Sequence, residues 1–431
     1  MTSSLLVILD DAVAGTLVRL SAGRLRFDYH EDYRSGAGAT PLSLSMPTQV
    51  ASHPSHVVTP WLWGLLPDDA AIISRWARHF HVSASSPFAL FSTPVGEDCA
   101  GAVRFVEPSK LERALRRSGE VAWLNDDEVA QRLRDLRRDS TAWLGRSFTG
   151  QFSLAGAQAK TALIFKEGRW GVPFGSTPTT HILKPAVAGL DDHDLNEHLC
   201  LDAVRRAGMV AVRTKLTRFV DETAVVVARY DRVSGREVVR VHQEDLCQAL
   251  GVPPTRKYQN EGGPGPADVT KLLRQVMPPD IAEDAVLRFA DALIWNWLIG
   301  GTDAHAKNYS LLLAGDQVRL APLYDIASAL PYGVHERKLR LAMKIGGDYG
   351  VYPRQNTWPA AARDLGLGTD ALLARVRELA GVAPDAFADA SKSPDITMLG
   401  SGLPVLLVDL IADRVARCKK LVEASVRASG H

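Results

Sequence analysis

A cluster of polar residues follows a segment that is apolar on nearly all sides and is predicted to be a buried helix. The stretch GGTDAHAKN, residues 300–308, places Asp303 and Asn308 with four residues between them, and Asp325 follows a predicted hairpin formed by YSLLL and VRLAPL. Amide and carboxylate oxygens suit Mg²⁺, and a further carboxylate can orient a hydroxyl nucleophile. The same spacing separates the catalytic Asp and the metal-binding Asn of protein kinases. The pattern therefore predicts phosphoryl transfer.

Two further polar residues lie inside this stretch. Lys307 could add positive charge near a transferred phosphate, and His305 could contact a nucleotide or hold the loop by hydrogen bonds. A structural explanation also fits the whole cluster, because Asp and Asn form turn hydrogen bonds after a helix end. The stretch in isolation leaves both explanations open.

A second candidate site lies upstream. The loop SLAGAQAK, residues 153–160, consists mainly of small residues whose main-chain N–H groups could cradle phosphate. It is neither a P-loop nor GxGxxG, so a plain hairpin turn fits it as well. Lys184 ends the predicted strand THILKP, and Glu197 lies in the first turn of the next helix. Such a pair holds a phosphate-binding ammonium in kinase-like sites; an ordinary surface lysine and a glutamate favoured by the helix dipole are the alternative.

Composition limits the class of protein. The 431 residues are 46% hydrophobic and carry a formal net charge of +1. They predict two or three units, and no global field that would attract nucleic acid or anionic lipid. The scattered cysteines predict buried thiols in a reducing compartment, and the N-terminus lacks the pattern of a signal peptide. No apolar run is long enough to span a membrane, so a cytoplasmic protein with no membrane partner is expected.

The remaining chain positions these candidates. Residues 3–30 predict an antiparallel meander, residues 109–138 a charged amphipathic helix, and AVLRFADALIWNWLI a buried helix that ends at Gly300 and Gly301. We expect three parts: a β-rich N-terminal subdomain (1–108), an N-lobe with a nucleotide loop (109–240), and a C-lobe with the catalytic loop and metal site (241–431).

The order of motifs resembles the HipA family of bacterial serine/threonine kinase toxins. The blocks that carry the resemblance are FSLAGAQAKTALI, TPTTHILKP, NEHLCLDAVRRAG, VARYDR, HQEDLCQALGVPPTRKYQNEGGPG, LIGGTDAHAKNYSLL and LAPLYDIASALPY. The resemblance implies an α+β, two-lobed protein-kinase-like fold with an additional β-rich N-terminal subdomain and an α-helical C-terminal lobe. It also implies ATP and Mg²⁺ as cofactors.

Roles follow by position from the resemblance. Asp303 resembles the catalytic base, and Asn308 and Asp325 resemble the magnesium ligands. Lys184 resembles the strand lysine that holds the nucleotide phosphates. Further nucleotide contacts are implied for the loop residues Ala155, Gly156, Ala157, Gln158, Ala159 and Lys160, for the hinge residues Ala228, Arg229 and Tyr230, and for His305, Lys307 and Tyr324.

Ser153 matches the serine that family members autophosphorylate, an event that expels the nucleotide loop and inactivates the kinase. Three positions depart from the family pattern. Ala159 replaces a glutamate that could tether the closed loop, Ala304 replaces a frequent glycine, and Ala228 stands where an acidic residue is common. All three changes keep the backbone, so we expect activity to be retained, with the regulation of the loop open to change.

The resemblance also implies partners. The protein substrate would be a translation component such as an aminoacyl-tRNA synthetase, and a HipB-like helix-turn-helix antitoxin would neutralise the toxin and connect it indirectly to operator DNA. The main alternative is a catalytically inactive, nucleotide-binding corepressor partner of such an antitoxin. A metal-dependent phosphohydrolase is the other, although it would normally use more His and Asp than this stretch offers.

Overall fold

A computed structural model gives the structure of the protein and describes residues 3–9, 11–116, 119–145, 150–187, 189–235, 237–354 and 356–429. The chain forms two compact units, each built from three segments. The first unit comprises Met1–Pro185, Arg218–Thr255 and Ser310–Val318. The second comprises Ala186–Thr217, Arg256–Tyr309 and Arg319–His431.

Runs of strands and runs of helices follow one another along the chain. The strands are β1 Ser4–Leu9, β2 Ala12–Arg19, β3 Leu25–Tyr29, β4 Ser52–His53, β5 Arg104–Val106, β6 Val121–Leu124, β7 Thr161–Lys166, β8 Arg169–Pro173, β9 His181–Pro185, β10 Thr214–Phe219, β11 Glu222–Ala228, β12 Arg232–Val233, β13 Val239–Arg240, β14 His242–Asp245, β15 Ser310–Ala314, β16 Gln317–Leu320, β17 Arg340–Ile345 and β18 Asp348–Gly350. The helices are α1 Glu31–Arg34, α2 Ser55–Gly64, α3 Ala70–His79, α4 Pro87–Phe91, α5 Leu111–Leu115, α6 Asp126–Arg138, α7 His193–Arg206, α8 Leu246–Ala249, α9 Pro266–Val276, α10 Pro279–Ile299, α11 Thr357–Leu365, α12 Thr369–Ala390, α13 Pro394–Thr397 and α14 Leu403–Ser429.

The N-terminal sheet has the strand order β4-β3-β2-β1-β5. Its inward face follows from the alternation of apolar residues, since Leu5 lies opposite Leu17 and Leu17 opposite Phe27, and all three are buried. This confirms the predicted meander. The core beneath the sheet is filled by large side chains, including Trp76 and Trp143, whose rings meet edge to face at 6.5 Å.

The second sheet of the first unit has the order β10-β11-β9-β7-β8-β6. Helix α6 covers it, with Val129 and Leu133 in one cluster with residues of β7 to β9 and β11. The prediction of one helix over residues 109–138 was wrong, because β6 interrupts it and pairs with β8. Asn125 explains the restart, since its side chain and that of Glu128 form a reciprocal capping box at the start of α6.

A buried group of charges, here called the Asp98 cluster, joins the end of the N-terminal subdomain to the β11–β13 region inside the first unit. It consists of Asp98, Arg229, Asp231, Arg232 and Arg240. The Asp98 carboxylate lies 3.0 Å from Arg232 and 3.2 Å from Arg240, and Asp231 lies 2.7 Å from Arg229. Burial by itself would raise the pKa of Asp98, but the neighbouring guanidinium groups hold it below its usual range. The cluster therefore depends on its charges remaining paired.

A buried carboxyl in β14 makes a pH dependence testable. Glu244 accepts hydrogen bonds from Leu44 N at 2.8 Å and from the Ser43 hydroxyl at 2.5 Å, yet burial raises its pKa to about 8. The folded state then binds a proton that the unfolded state releases near pH 4.5. The free energy of unfolding should therefore fall as the pH rises through this window, by at most about 1.4 kcal/mol per pH unit.

Chemical denaturation at several values between about pH 5 and pH 8 would measure this dependence. Glu244→Gln keeps the shape of the side chain and has no proton to lose, so its curve serves as the reference. The wild type should lose stability relative to Glu244→Gln toward pH 8, and parallel curves for the two proteins would contradict the assignment.

Helix α10 forms the centre of the second unit. Every residue from Phe289 to Ile299 is buried, which confirms the predicted core helix. Trp295 stacks on Phe387 of α12 at 6.0 Å, and Asp291 forms a bidentate pair with Arg375 at 2.6 and 2.7 Å. Gly300 ends the helix in the left-handed conformation with φ +65°, as the sequence predicted.

The segment that follows Asp325 is tied to α7 and α14 in the second unit. The amide of Asn196 donates to Ser328 O at 2.8 Å and accepts from Ser328 N at 3.1 Å. Glu336 forms ion pairs with Arg414, whose side chain is fully buried, and with Arg417 at 3.0 Å. The chain that follows the candidate metal ligand Asp325 is therefore fixed to two helices of the second unit.

Two global expectations can be compared with the described residues. Cys99, Cys200, Cys247 and Cys418 are all buried and free, which confirms the predicted buried thiols. Across the ranges given above, the helices are too short or too polar to cross a membrane.

Candidate phosphoryl-transfer site

The loop after α10 folds around the main chain of Asp303. Its carbonyl oxygen accepts hydrogen bonds from His305 N at 2.8 Å and from Asn308 Nδ2 at 2.6 Å, and Asn308 N donates to His305 O at 2.9 Å. These bonds leave the Asp303 side chain pointing outward, 66% exposed. A carboxylate held in this way can accept a proton from a substrate hydroxyl.

A hydrogen bond between neighbouring residues links the loop of Asn308 to the segment of Asp325 in the second unit. The Tyr324 hydroxyl donates to Lys307 O at 2.7 Å, so the residue before Asp325 is bonded to the residue before Asn308. Asp325 adopts the left-handed conformation with φ +57°, which Asp tolerates better than most residues.

The two side chains fit a magnesium ion. The Asn308 nitrogen is occupied by Asp303 O, so the amide oxygen is the atom that can bind a metal. Over the described ranges, this loop included, there is no group of three or more His, Cys, Asp or Glu that could hold a metal. Mg²⁺ does not need such a group, because it keeps several waters and binds one or two protein oxygens together with substrate phosphates.

His305 and Lys307 lie inside the loop and are both 4% exposed. The His305 ring packs edge-on against Tyr258 with centroids 4.9 Å apart, and its Nε2 is 3.9 Å from Asp303 Oδ1, too far for a hydrogen bond. This packing favours a structural part for His305. The nucleotide contacts of His305 and Lys307 stay predictions.

Tyr258 is a site residue that the sequence reasoning did not find. Its hydroxyl donates to Asp303 Oδ1 at 2.6 Å, and the preceding carbonyl of Lys257 accepts from Ala306 N at 3.2 Å. Tyr258 belongs to KYQNEGGPG, a block that fits the family pattern but received no chemical role. In the structure a Cβ at Gly263 would lie 2.1 Å from Arg256 O, so the tight turn beside the tyrosine requires glycine there, but no pattern in the sequence connects this turn with Asp303.

The candidate nucleotide loop lies in the first unit and is closed onto the N-terminal subdomain. Ser153 N donates to Asp98 O at 2.9 Å and its hydroxyl to Leu65 O at 2.8 Å, and the residue is fully buried. Gly156 O accepts from Asp68 N at 3.1 Å. The predicted loop residues are therefore held by main-chain contacts.

Lys160 closes the far end of the loop. Its ammonium donates to Ala155 O at 2.7 Å and lies 4.8 Å from the centre of the Trp143 ring. Gly156 has φ +101°, and a Cβ there would come within 2.8 Å of Lys160 Nζ, so a side chain is disfavoured on both grounds. Ala157, Gln158 and Ala159 lie between these anchors, and Ala157 is exposed.

Lys184 and the predicted hinge residues lie on the six-stranded sheet of the first unit. Lys184 is on β9, opposite Val225 of β11, and is 6% exposed; Ala228 ends β11 opposite His181. Arg229 N donates to Thr180 O at 3.0 Å and its guanidinium belongs to the Asp98 cluster, so this side chain supports the fold. The Tyr230 hydroxyl donates to Gln243 Oε1 at 2.5 Å.

The site residues thus fall into two sets with different chemistry. The second unit carries the oxygen groups for a metal and a proton, and the first carries two buried lysines and a loop of main-chain N–H groups. Such sets are the parts from which phosphoryl transfer is built, since that chemistry needs positioning and charge neutralisation more than covalent catalysis.

Comparison with known proteins places the chain in a family. Residues 5–106 match the family model of the HipA N-terminal domain, and residues 152–387 match that of the HipA-like C-terminal domain. Y4mE, a candidate kinase of Sinorhizobium fredii, is 30% identical over 422 residues, covering 97% of this chain and 98% of the relative. The serine/threonine-protein kinase toxin HipA of Shewanella oneidensis is 28% identical over 398 residues, covering 86% and 87%.

The solved structures agree on the architecture. A chain from the complex of HipA, HipB and operator DNA of Shewanella oneidensis MR-1 matches with a TM-score of 0.83 at 24% identity, covering 98% of this chain and 99% of that chain. The fold is therefore α+β and protein-kinase-like, with the additional β-rich N-terminal subdomain that the sequence predicted. With both domain models and full-length relatives in agreement, the chain belongs to the HipA family of kinase toxins.

Proposed function

We propose that this protein is a Mg-ATP-dependent serine/threonine protein kinase that acts as the toxin of a toxin–antitoxin pair and inactivates itself by autophosphorylation at Ser153. The observation that carries the proposal is the loop after α10. It exposes the Asp303 carboxylate while it orients Asn308, and the bond from Tyr324 to Lys307 O draws Asp325 toward the same loop. Family membership supports kinase activity independently.

Each residue has a distinct part in this proposal. Asn308 Oδ1 and the Asp325 carboxylate would hold Mg²⁺, which when bound neutralises charge on the nucleotide phosphates. Asp303 would orient the acceptor hydroxyl and take its proton. Lys184, Lys307 and the N–H groups of the loop 155–160 would hold the phosphates, and main-chain atoms of residues 228–230 would lie beside the adenine.

The burial of Ser153 supports the inactivating switch. A phosphate cannot be added to a fully buried hydroxyl that donates to Leu65 O, so the loop must leave its closed position before the modification. A phosphoserine carries a charge of about −2. It could not return to a pocket lined by the carbonyls of Leu65 and Asp98, because those oxygens would repel it.

The first experiment is mass spectrometry of the purified protein after incubation with Mg-ATP. The wild type should gain one phosphate on Ser153, and Ser153→Ala should gain none at that position because the acceptor oxygen is gone. If Ser153 phosphorylation inactivates the kinase, Ser153→Ala should keep transferring phosphate to an added protein substrate after the wild type has stopped.

A different outcome would favour the alternative. If ATP binds by calorimetry while no phosphate reaches the chain or any tested aminoacyl-tRNA synthetase, the protein is a nucleotide-binding corepressor and not a kinase. Phosphate on an exposed serine, with Ser153 unmodified, would reject the switch and leave the kinase activity standing.

The proposed partners follow from the relatives. The matched structure contains HipB and operator DNA, so we propose a HipB-like helix-turn-helix antitoxin for this chain, with operator DNA reached through that partner. We propose an aminoacyl-tRNA synthetase as the protein substrate. Co-purification with the antitoxin candidate and phosphoproteomics of arrested cells would test the two assignments separately.

A further inference from the structure

Tyr258 stands beside the candidate catalytic carboxylate without an assigned part in the reaction. Its hydroxyl donates to Asp303 Oδ1 at 2.6 Å, the length of a strong bond between a hydroxyl and a charged oxygen. We propose that Tyr258 is a positioning residue that fixes the Asp303 carboxylate for proton acceptance. This inference rests on the proposed kinase function and adds a residue to its site.

An exposed carboxylate needs such a partner. The Asp303 side chain is 66% exposed, and an unrestrained side chain with that exposure samples several rotamers in water. His305 Nε2 is 3.9 Å from the same oxygen, beyond hydrogen-bond length. The phenol at Oδ1 selects one orientation of the carboxylate.

Tyr258 is itself held rigidly enough to do this. Its ring packs edge-on against His305 at 4.9 Å, and the adjacent Lys257 O accepts from Ala306 N at 3.2 Å, so the tyrosine and the catalytic loop are joined at two points. The following residue, Gln259, accepts from Lys344 N of β17 at 2.7 Å. A side chain supported on both sides can hold its partner to within a fraction of an ångström.

A carboxylate oriented by a hydrogen bond fits the chemistry of the transfer step. In the transfer step, the acceptor hydroxyl oxygen forms a bond to the γ-phosphorus of ATP while the bond from that phosphorus to the β,γ-bridging oxygen breaks and ADP leaves. The hydroxyl proton passes to the Asp303 carboxylate. Tyr258 keeps its own proton throughout and acts only by orienting Oδ1.

The alternative is that Tyr258 is itself an acceptor of phosphate, since its hydroxyl contacts the base as a substrate hydroxyl would. The anchoring argues against this. A phenol joined to the loop of the base through His305 packing and the Lys257–Ala306 bond cannot withdraw to release the base after modification. Mass spectrometry separates the two assignments, because only an acceptor would carry phosphate.

The test is a double-mutant cycle in the full chain with Tyr258→Phe and Asp303→Ala, read as the initial rate of Ser153 phosphorylation. Tyr258→Phe should lower the maximal rate roughly 10-fold, the effect of losing one hydrogen bond to a charged group, with the KM for ATP unchanged. In the Asp303→Ala background the same change should have no further effect, because the hydroxyl works only through the carboxylate. Tyr352→Phe, a half-buried tyrosine elsewhere in the second unit, is the matched control.

The outcomes distinguish the role of Tyr258 from the kinase activity itself. If the wild type transfers phosphate and Tyr258→Phe does so at the same rate, the positioning role is rejected and the kinase proposal is kept. The same conclusion follows if the two substitutions lower the rate independently. Phosphate on Tyr258 would also reject the positioning role. If neither the wild type nor any variant transfers phosphate, the kinase proposal itself fails.

Discussion

Replacing Asp303 by asparagine is expected to lower the rate of Ser153 phosphorylation by roughly 10²- to 10⁴-fold, the range over which a positioned general base contributes. The amide keeps the shape of the side chain and can still accept from Tyr258, so the local fold should be unchanged. It cannot take the proton of the acceptor hydroxyl. Time-resolved mass spectrometry of the wild type and the variant measures the rate.

Two companion measurements make this result interpretable. Asp316 is also an exposed aspartate, at the turn between β15 and β16, and the variant Asp316→Asn should phosphorylate at the wild-type rate. Binding of Mg-ATP by Asp303→Asn, measured by calorimetry, should stay close to that of the wild type, because the predicted metal ligands are Asn308 and Asp325. A variant that keeps the full rate would remove Asp303 from the reaction.

The second large effect is expected for Asp98→Asn. This substitution leaves Arg229, Arg232 and Arg240 buried with one carboxylate, that of Asp231, in place of two. Removing one partner of a buried charge pair typically costs about 3–5 kcal/mol, since the remaining charges stay desolvated. The free energy of unfolding, measured with urea, should fall by that amount.

An ion pair on the surface serves as the control for Asp98→Asn. Asp221 pairs with Arg134 and its side chain is 63% exposed, so Asp221→Asn should change the free energy of unfolding by less than about 1 kcal/mol. Equal effects of the two substitutions would show that the Asp98 cluster contributes no more than a solvated ion pair.

Local patterns predicted much of the fold. The alternation in residues 3–30 and the apolar residues on nearly all sides of the C-terminal half of α10 were sufficient, because each element buries a surface that its own sequence specifies. The prediction of one helix over residues 109–138 was wrong because this region depends on an interaction outside its own sequence. The strand β6 is only four residues long and lies between two charged helices. Its pairing with β8 is a tertiary interaction, which the pattern of neighbouring residues does not indicate. The boundaries proposed at residues 108 and 240 stay predictions.

Some residues of the candidate site could likewise be predicted from local sequence, and others could not. The positions of Asp303 and Asn308 follow from a spacing within one loop, so the sequence was sufficient to suggest their chemistry. Tyr258 lies 45 residues from its hydrogen-bond partner. The Asp98 cluster joins positions 131 residues apart, from Asp98 to Arg229. Pairings at such distances along the chain depend on the folded arrangement, and no local pattern encodes them.

The closed position of Ser153 has a consequence for the timing of the switch. Its amide donates to Asp98 O and its hydroxyl to Leu65 O, so one local opening would have to release both. Deuterium uptake at that amide and phosphate uptake at that hydroxyl would then both require the same local opening of the loop. Hydrogen exchange in the absence of ATP would thus report the lifetime of the active enzyme, and substitutions that loosen the loop would shorten that lifetime without touching the catalytic residues.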